Sequence, residues 1–304
     1  MKENAPLAVF VYNRPVHTEQ VLSALNDNIG AEATDLFLFA DAAAKPEAEE
    51  SVKEVRELIH AFADRSNFRS VTIREADRNI GCRDSIIGGV SSVMDRYGKV
   101  IVVEDDLLTR KNFLKYMNEG LNLYEKDNRI WSLAGHTRQF PELSDYPFDF
   151  YLTRRACSWG WGMWKDRWDL IDWQVSDYES FRKNPFQRLR FARGGGDLYK
   201  MLENEMNGKS SAWDLRLQYS MAKTDRYTVY PKRTFVYNIG FDGSGTHCVV
   251  TGNETFENLE AQDYTLVPNL QPNARINRGF LNAEYPNLYK RGVRKLKKVL
   301  NLSS

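Results

Sequence analysis

Four short strand-like segments, three of them largely apolar, constrain the fold of this chain more than any other feature. Leu7–Tyr12, Asp35–Ala40, Ser70–Glu75 and Lys99–Val103 alternate with segments whose apolar residues recur at three- and four-residue steps. In the segment Lys45–Asp64 the recurring residues are Val52, Val55, Leu58, Ile59 and Phe62, and in Ser85–Tyr97 they are Ile86, Ile87, Val90 and Val93. Thr18–Leu25 also reads as a helix. A run that is apolar at successive positions, like Leu7–Tyr12, is a strand buried on both faces. Strands separated by helical periodicity form βαβ units. The expected fold is therefore α/β, Rossmann-like, with a mostly parallel sheet flanked by helices. In such a sheet ligands bind at the carboxyl ends of the strands. Asn13-Arg14, Asp41, the stretch Glu75 to Arg83, and Glu104–Asp106 all fall there.

The later sequence changes character. Asn112–Tyr124 reads as a helix and Trp131–Gly135 as a strand, followed by the Trp/Gly-rich stretch Ser158–Trp164. Gly194-Gly195-Gly196 reads as a flexible loop. Asp197–Asn207 and Trp213–Lys223 read as helices, Thr228–Pro231 and Phe235–Asn238 as short strands, and Gly240–His247 as a Gly-rich loop. From Thr251 to Asn277 the chain is polar with little pattern, and Tyr289–Leu300 reads as a basic helix. No repeat and no clear linker interrupts the 304 residues, so a single domain is expected.

Lys+Arg 42 against Asp+Glu 41 leaves a net charge of +1, which excludes a dedicated nucleic-acid binder. Cys82, Cys157 and Cys248 are far apart and form no Cys-x-x-Cys pair, which argues against a disulfide scaffold or a cysteine zinc site. No apolar run approaches the ~18 residues of a membrane span. The run Leu7–Tyr12 is too short for a secretory core and no small-residue cleavage site follows it. A cytoplasmic protein is expected.

Glu104-Asp105-Asp106 is the strongest chemical signal. Three acids ending a wholly apolar strand repel one another and lose hydration, and a divalent cation offsets both costs. Hard carboxylate oxygens suit Mg²⁺ or Mn²⁺, completed by phosphate oxygens and water. Capping of the following turn by Asp105 or Asp106 is the alternative. At the other strand ends, Arg14 is placed to meet a phosphate or ribose, or else is a surface arginine. Asp41 is placed to accept hydrogen bonds from a base or ribose, or else caps a loop. Asn79-Ile80-Gly81 and Arg83 precede and open a helix, whose amino end attracts anions. Together on one rim they favour a nucleotide.

These residues resemble a GT-A nucleotide-sugar glycosyltransferase. Asn-Arg-Pro follows strand one, an Asp follows strand two, Arg78-Asn79-Ile80-Gly81 precedes the third helix, and Val-Val-Glu-Asp-Asp ends strand four. The Glu-Asp-Asp form is similar to that of the β-1,2-N-acetylglucosaminyltransferase I and protein O-mannose N-acetylglucosaminyltransferase family. Cys157–Gly162 resembles that family's Gly-Leu-Gly-Trp loop. Ala212-Trp213-Asp214 resembles its Phe-Trp-Asp segment, and Arg233-Thr234-Phe235 through Ser244–His247 its Arg-Thr…Ser-His-Gly stretch. Motif order agrees over roughly residues 5–250.

The resemblance implies an inverting, Mn²⁺- or Mg²⁺-dependent transfer of a sugar, GlcNAc or a related hexose, from a UDP-sugar to a glycan or lipid-linked glycan. Asp106 is then the metal ligand, with Glu104 and Asp105 contacting sugar or ribose. Arg14, Asp41, Asn79 and Arg83 line the nucleotide pocket. Residues 1–110 form a nucleotide-binding half, 111–250 an acceptor half and 251–304 an extension. Inverting transfer needs a carboxylate across the sugar from the diphosphate. Asp214 is the candidate base, with Asp169, Asp172 and Asp242 as rivals. The family's members are Golgi proteins with an anchor and stem that this sequence does not show, so a bacterial cytoplasmic enzyme of surface-polysaccharide assembly is expected. The cations of the tail, from Lys290 to Lys298, offer a peripheral contact with the inner face of the membrane. A sugar nucleotidyltransferase is the enzymatic alternative, although Asn13–His17 lacks the glycines of its phosphate loop. A non-catalytic carbohydrate-binding protein is the other.

Overall fold

A computed structural model describes residues 3–242 and 258–284. In chain order the elements are β1 (Leu7–Val11), α1 (Pro15–Asn26), β2 (Asp35–Ala40), α2 (Glu49–Ala63), β3 (Ser70–Glu75), α3 (Cys82–Tyr97), β4 (Lys99–Glu104) and β5 (Leu107–Thr109). There follow α4 (Phe113–Tyr124), β6 (Ile130–Ala134), β7 (Phe150–Thr153), β8 (Trp161–Trp164), α5 (Lys165–Trp168), α6 (Tyr178–Lys183) and α7 (Pro185–Phe191). The chain continues through α8 (Leu198–Met206), α9 (Asp214–Thr224), β9 (Tyr227–Pro231), β10 (Val236–Asn238) and α10 (Ala274–Glu284).

Among the described residues, eight strands form one sheet in the order β3-β2-β1-β4-β8-β6-β9-β7. The first four are mutually parallel, as expected from the sequence. β8 runs antiparallel between β4 and β6, which restores β6 and its parallel neighbour β9 to the direction of β4. β7 closes the far edge antiparallel to β9. Thus β1, β2, β3, β4, β6 and β9 all point to one rim, and only β7 and β8 run against them.

The strand pattern explains the layers. Alternate residues of β1 and β4 feed two cores: Leu7, Val9, Val11, Ile101 and Val103 pack under α1, α2 and α4. Ala8, Phe10, Val100 and Val102 pack under α3 with Trp161 and Trp213. Burying each such side chain is worth ~1.5–3 kcal/mol, which leaves these strands no alternative register.

Three sequence expectations change here. The Trp/Gly-rich stretch yields a central strand, because Trp161 and Trp164 fill the sheet faces while Gly162 lies against Leu121 and Met117. Gly194 and Gly195 are buried, and a Cβ on Gly194 would lie 2.4 Å from the Arg154 carbonyl oxygen. That segment is a packed turn, not a flexible loop. Within the polar stretch after Thr251, α10 starts at Ala274 and docks Ile276 and Phe280 onto Tyr151 and Tyr230. The expected basic helix at Tyr289–Leu300, and Ser244–His247, lie outside the described residues.

Candidate active site at the carboxyl rim of the sheet

The pairing of β1 with β4 builds the first half of the site. Phe10 is in register with Glu104, so the chain leaving β1 runs beside the acidic turn. The Tyr12 amide donates to Asp105 Oδ2 at 3.3 Å, and Arg14 Nη2 donates to Asp105 and, at 3.2 Å, to Asp106. Arg14 is correspondingly held in its charged form by the two carboxylates, despite the desolvation that opposes it. Asp105 is thereby committed to the protein.

A second strand pair lays the chain over this turn. β10 runs antiparallel to β5, pairing Asn238 with Leu107. The Ile239 amide then donates to the Asp106 carbonyl at 2.8 Å and the Gly240 amide to Asn238 Oδ1 at 2.7 Å. A Cβ on Gly240 would sit 2.5 Å from Asp106 Oδ2 and 3.0 Å from Arg14 Nη1. Glycine here keeps the Asp106 carboxylate clear, a requirement the sequence alone did not reveal.

Asp214 is brought to the same site by way of tryptophans. Trp161 is paired with Val102 in the sheet, and Trp213 packs on Trp161 with ring centroids 5.9 Å apart. This contact pins the amino end of α9, and with it Asp214, near the end of β4. The acids feel one another. Glu104 is pushed up to about 8, by burial first and then by Asp106, Asp105 and Asp214. Burial also raises Asp105, against Arg14, and raises Asp214, against Arg155. Cys82, the first residue of α3, has its thiol pushed up to about 12 by desolvation and then by Glu104, Asp105, Asp106 and Asp214. Residues from β4, α3 and α9 therefore share one electrostatic site. Among the described residues, no side chain hydrogen-bonds to Glu104 or Asp214, and Asp214 is met instead by the backbone amides at the start of its own helix.

Asp41 is differently placed. It is buried, and its carboxylate accepts from the amides of Ala42 at 2.8 Å, Ile80 at 3.0 Å and Gly81 at 2.9 Å, and from Asn79 Nδ2 at 3.0 Å. Asn79 also donates to the Ala42 carbonyl at 2.7 Å. Asp41 and Asn79 thus tie the end of β2 to the turn that starts α3. Gly81 takes φ +81° there, a left-handed geometry that glycine adopts without strain. Arg83, in the first turn of α3, pairs with its neighbour Asp84 at 3.0 Å and lies 3.9 Å from the buried Glu205 of α8, which Arg216 also meets at 3.4 Å.

The rival carboxylates are elsewhere engaged. Asp169 pairs with Lys165 at 2.8 Å, and Asp172 caps the next turn through the amides of Gln174 and Ser176. Asp242 lies 3.2 Å from His17 Nε2. Beside it Phe241 packs on Trp159, whose ring in turn lies tilted against His136 with centroids 4.6 Å apart. Burial lowers His136 to about 4, so this ring is neutral.

Among the described residues, no three His, Cys, Asp or Glu side chains converge as a cage for a metal ion. The donor set still suits a hard cation of the kind that takes one or two carboxylates and completes its shell with substrate phosphates and water. Asp106 has one oxygen engaged by Arg14 and faces the gap kept open by Gly240.

No family model and no curated protein matches the chain. Solved structures do match. A fragment of TarS from S. aureus, residues 1–349, in complex with UDP shares 12% identity at a TM-score of 0.46, over 76% of this chain and 60% of that one. The mannosyltransferase PcManGT from Pyrobaculum calidifontis, in complex with GDP-Man and Mn²⁺, shares 11% at 0.40, over 73% and 70%. A UDP-glucose pyrophosphorylase complexed with UDP-glucose shares 10% at 0.34, over 55% and 78%. The chain thus spans about 60% of the TarS fragment. At these levels of similarity, function has to be argued from the site.

Proposed function

We propose that the chain is an inverting glycosyltransferase that moves a sugar from a nucleotide-sugar, of which a UDP-sugar is the expected form, to a hydroxyl of a glycan or lipid-linked glycan. One observation carries this reading. Glu104–Asp106 from a strand end and Asp214 from a helix start are brought close enough to act on one another electrostatically, beside Arg14, although 108 residues separate Asp106 from Asp214 in the sequence.

Arg14 and the amino end of α3 supply positive potential for a diphosphate, and Arg83 stands at that same helix start. Asp106 would hold a divalent cation, which supplies charge neutralisation for the leaving diphosphate. Asp41 and Asn79 act as positioning residues that fix the turn before α3. Asp214 takes the proton of the acceptor hydroxyl as that oxygen bonds to the anomeric carbon and the diphosphate leaves with the electron pair of the broken bond. Burial suits Asp214 to that task, because desolvation makes a carboxylate more basic. Glu104, raised by the same crowding, is placed to face a sugar hydroxyl as donor or acceptor.

The test is a donor panel of UDP-, GDP- and other nucleotide-sugars assayed for transfer and hydrolysis with Mn²⁺. Sugar release or transfer that disappears in Asp214→Asn, with donor binding retained, supports the reading. Pyrophosphate-dependent formation of a nucleoside triphosphate would replace it with a nucleotidyltransferase.

A further inference from the structure

The segment from 180 to 196 carries Arg182, Lys183, Arg188, Arg190 and Arg193 and no acid. Within it α7 is a short helix started by Pro185 and capped by Asn184, whose Oδ1 accepts from the Phe186 amide at 3.0 Å and the Gln187 amide at 3.2 Å. The inward face is well anchored: Phe191 and Phe181 pack edge-on against each other, and both pack on Tyr219 of α9. The outward face is the reverse of what a solvated helix shows. Phe186 is 81% exposed and Leu189 70% exposed. Spaced by three residues, they lie side by side on the helix surface. Around them Lys183 and Arg190 make no ion pair among the described residues, and Arg188 lies over Tyr199 at 4.1 Å. Arg182 and Arg193 lean on Glu179 and Asp225 at the margins.

We propose that this face of α6 and α7 docks on an anionic lipid bilayer. Two protruding apolar side chains ringed by cations match a membrane interface, where the apolar pair enters the headgroup boundary and the long cationic stems reach to phosphates. A patch built on one seven-residue helix with two exposed apolar side chains is small beside the ~800 Å² per partner of a stable protein interface. A nucleic-acid backbone would pair the cations and leave Phe186 and Leu189 in water. The patch also sits on the lobe of α9, the helix whose amino end carries Asp214. Membrane docking is independent of the glycosyltransferase reading, and its test uses no nucleotide.

The test is co-sedimentation of the full chain with mixed phosphatidylcholine–phosphatidylglycerol vesicles, with pure phosphatidylcholine as the control. Wild type partitions to the mixed vesicles and leaves them as salt rises. Phe186→Ser/Leu189→Ser lowers the partition coefficient at least about tenfold with melting temperature unchanged. Lys183→Ser/Arg190→Ser lowers it several-fold and flattens its salt dependence. Phe186→Trp, which retains the apolar contact, binds as well as wild type or better. Absence of wild-type binding to mixed vesicles overturns the proposal. So does equal binding by wild type and both double variants, which would assign membrane contact to another part of the chain. Conversion of a dimer to a monomer by the apolar variant, with vesicle binding unchanged, would assign the face to a second copy instead.

Discussion

The two rims of the central sheet treat their acids in opposite ways. At the amino rim, Asp35 opens β2 and accepts from Arg69 Nη2 at 2.7 Å, Ser70 Oγ at 2.7 Å and Tyr97 Oη at 3.0 Å. Those donors, Arg69 first, hold its carboxyl well below the usual carboxylate range. At the carboxyl rim, the half-buried Glu104 and Asp214 gain no donor side chain among the described residues, Asp214 accepting only from the backbone at its own helix start, and both are raised. An acid satisfied by its own protein contributes to the fold. An acid crowded by other acids and met by no cationic side chain costs stability, and such a cost persists where a ligand offsets it. Asp41 shows that the difference is local: it lies on the carboxyl rim, yet four donors from its own chain surround it.

The largest expected effect comes from the crowded acids. Asp214→Asn should cut kcat by ~10²–10⁴ with donor affinity nearly unchanged. In the same variant the ligand-free protein should melt no lower than wild type, because a buried charge is removed and no hydrogen bond with a side chain is lost. Wild-type turnover in Asp214→Asn, with Asp242→Asn inactive, would move the base to the loop beside His17. Gly240→Ala comes next. Its methyl would press on Asp106 and Arg14, so metal-dependent nucleotide binding should weaken at least about tenfold while the metal-free protein melts within a few degrees of wild type. Binding at wild-type strength would show that Asp106 does not need that gap.

Asp41→Ala should be a stability variant, losing ~1–3 kcal/mol in denaturant unfolding as the amides of Ala42, Ile80 and Gly81 lose their acceptor. Its effect on nucleotide binding should fall equally on UDP, GDP and CDP, as expected of a positioning residue. Selective loss of UDP would give Asp41 a direct contact with the base. Asp35→Asn should be the mildest, at about 1 kcal/mol after solvent screening. Because the folded carboxyl is held below its unfolded value of ~4, its contribution is present above that pH and is lost as the pH falls through the folded value. The variant should therefore match wild type in strong acid and trail it near neutrality. A constant gap across the whole pH range would contradict the linkage.

The part of the fold written in local pattern was legible in the sequence. β1 to β4 are apolar or half-buried runs that stand between helices, and their parallel direction follows from that alternation, whereas their order in the sheet does not. β8 was not legible, because Trp161-Gly162-Met163-Trp164 becomes a strand only when β4 and β6 supply both neighbours. Similarly, α10 has few apolar residues and takes its place by docking Ile276 and Phe280 on the far edge of the sheet. For the site, Glu104–Asp106 could be read from three acids closing an apolar strand. The engagement of Asp41 could not, since its donors Asn79, Ile80 and Gly81 lie nearly 40 residues away and two of them are backbone amides. The role of Gly240 needed the pairing of β10 with β5, which no local pattern announces. Asp214 was marked by the Trp-Asp pair, and the physical reason is the Trp213–Trp161 contact that holds it at the end of β4.

The central claim is that the crowded acids of the carboxyl rim are there for a cation and a nucleotide diphosphate. Titration calorimetry of UDP into wild type and Asp106→Ala, each with Mn²⁺ and with chelator, tests it most directly. Wild-type binding should require Mn²⁺, and Asp106→Ala should bind no better with the metal than without it, at an unchanged melting temperature. Equal Mn²⁺-dependent affinity in the two proteins would contradict the account.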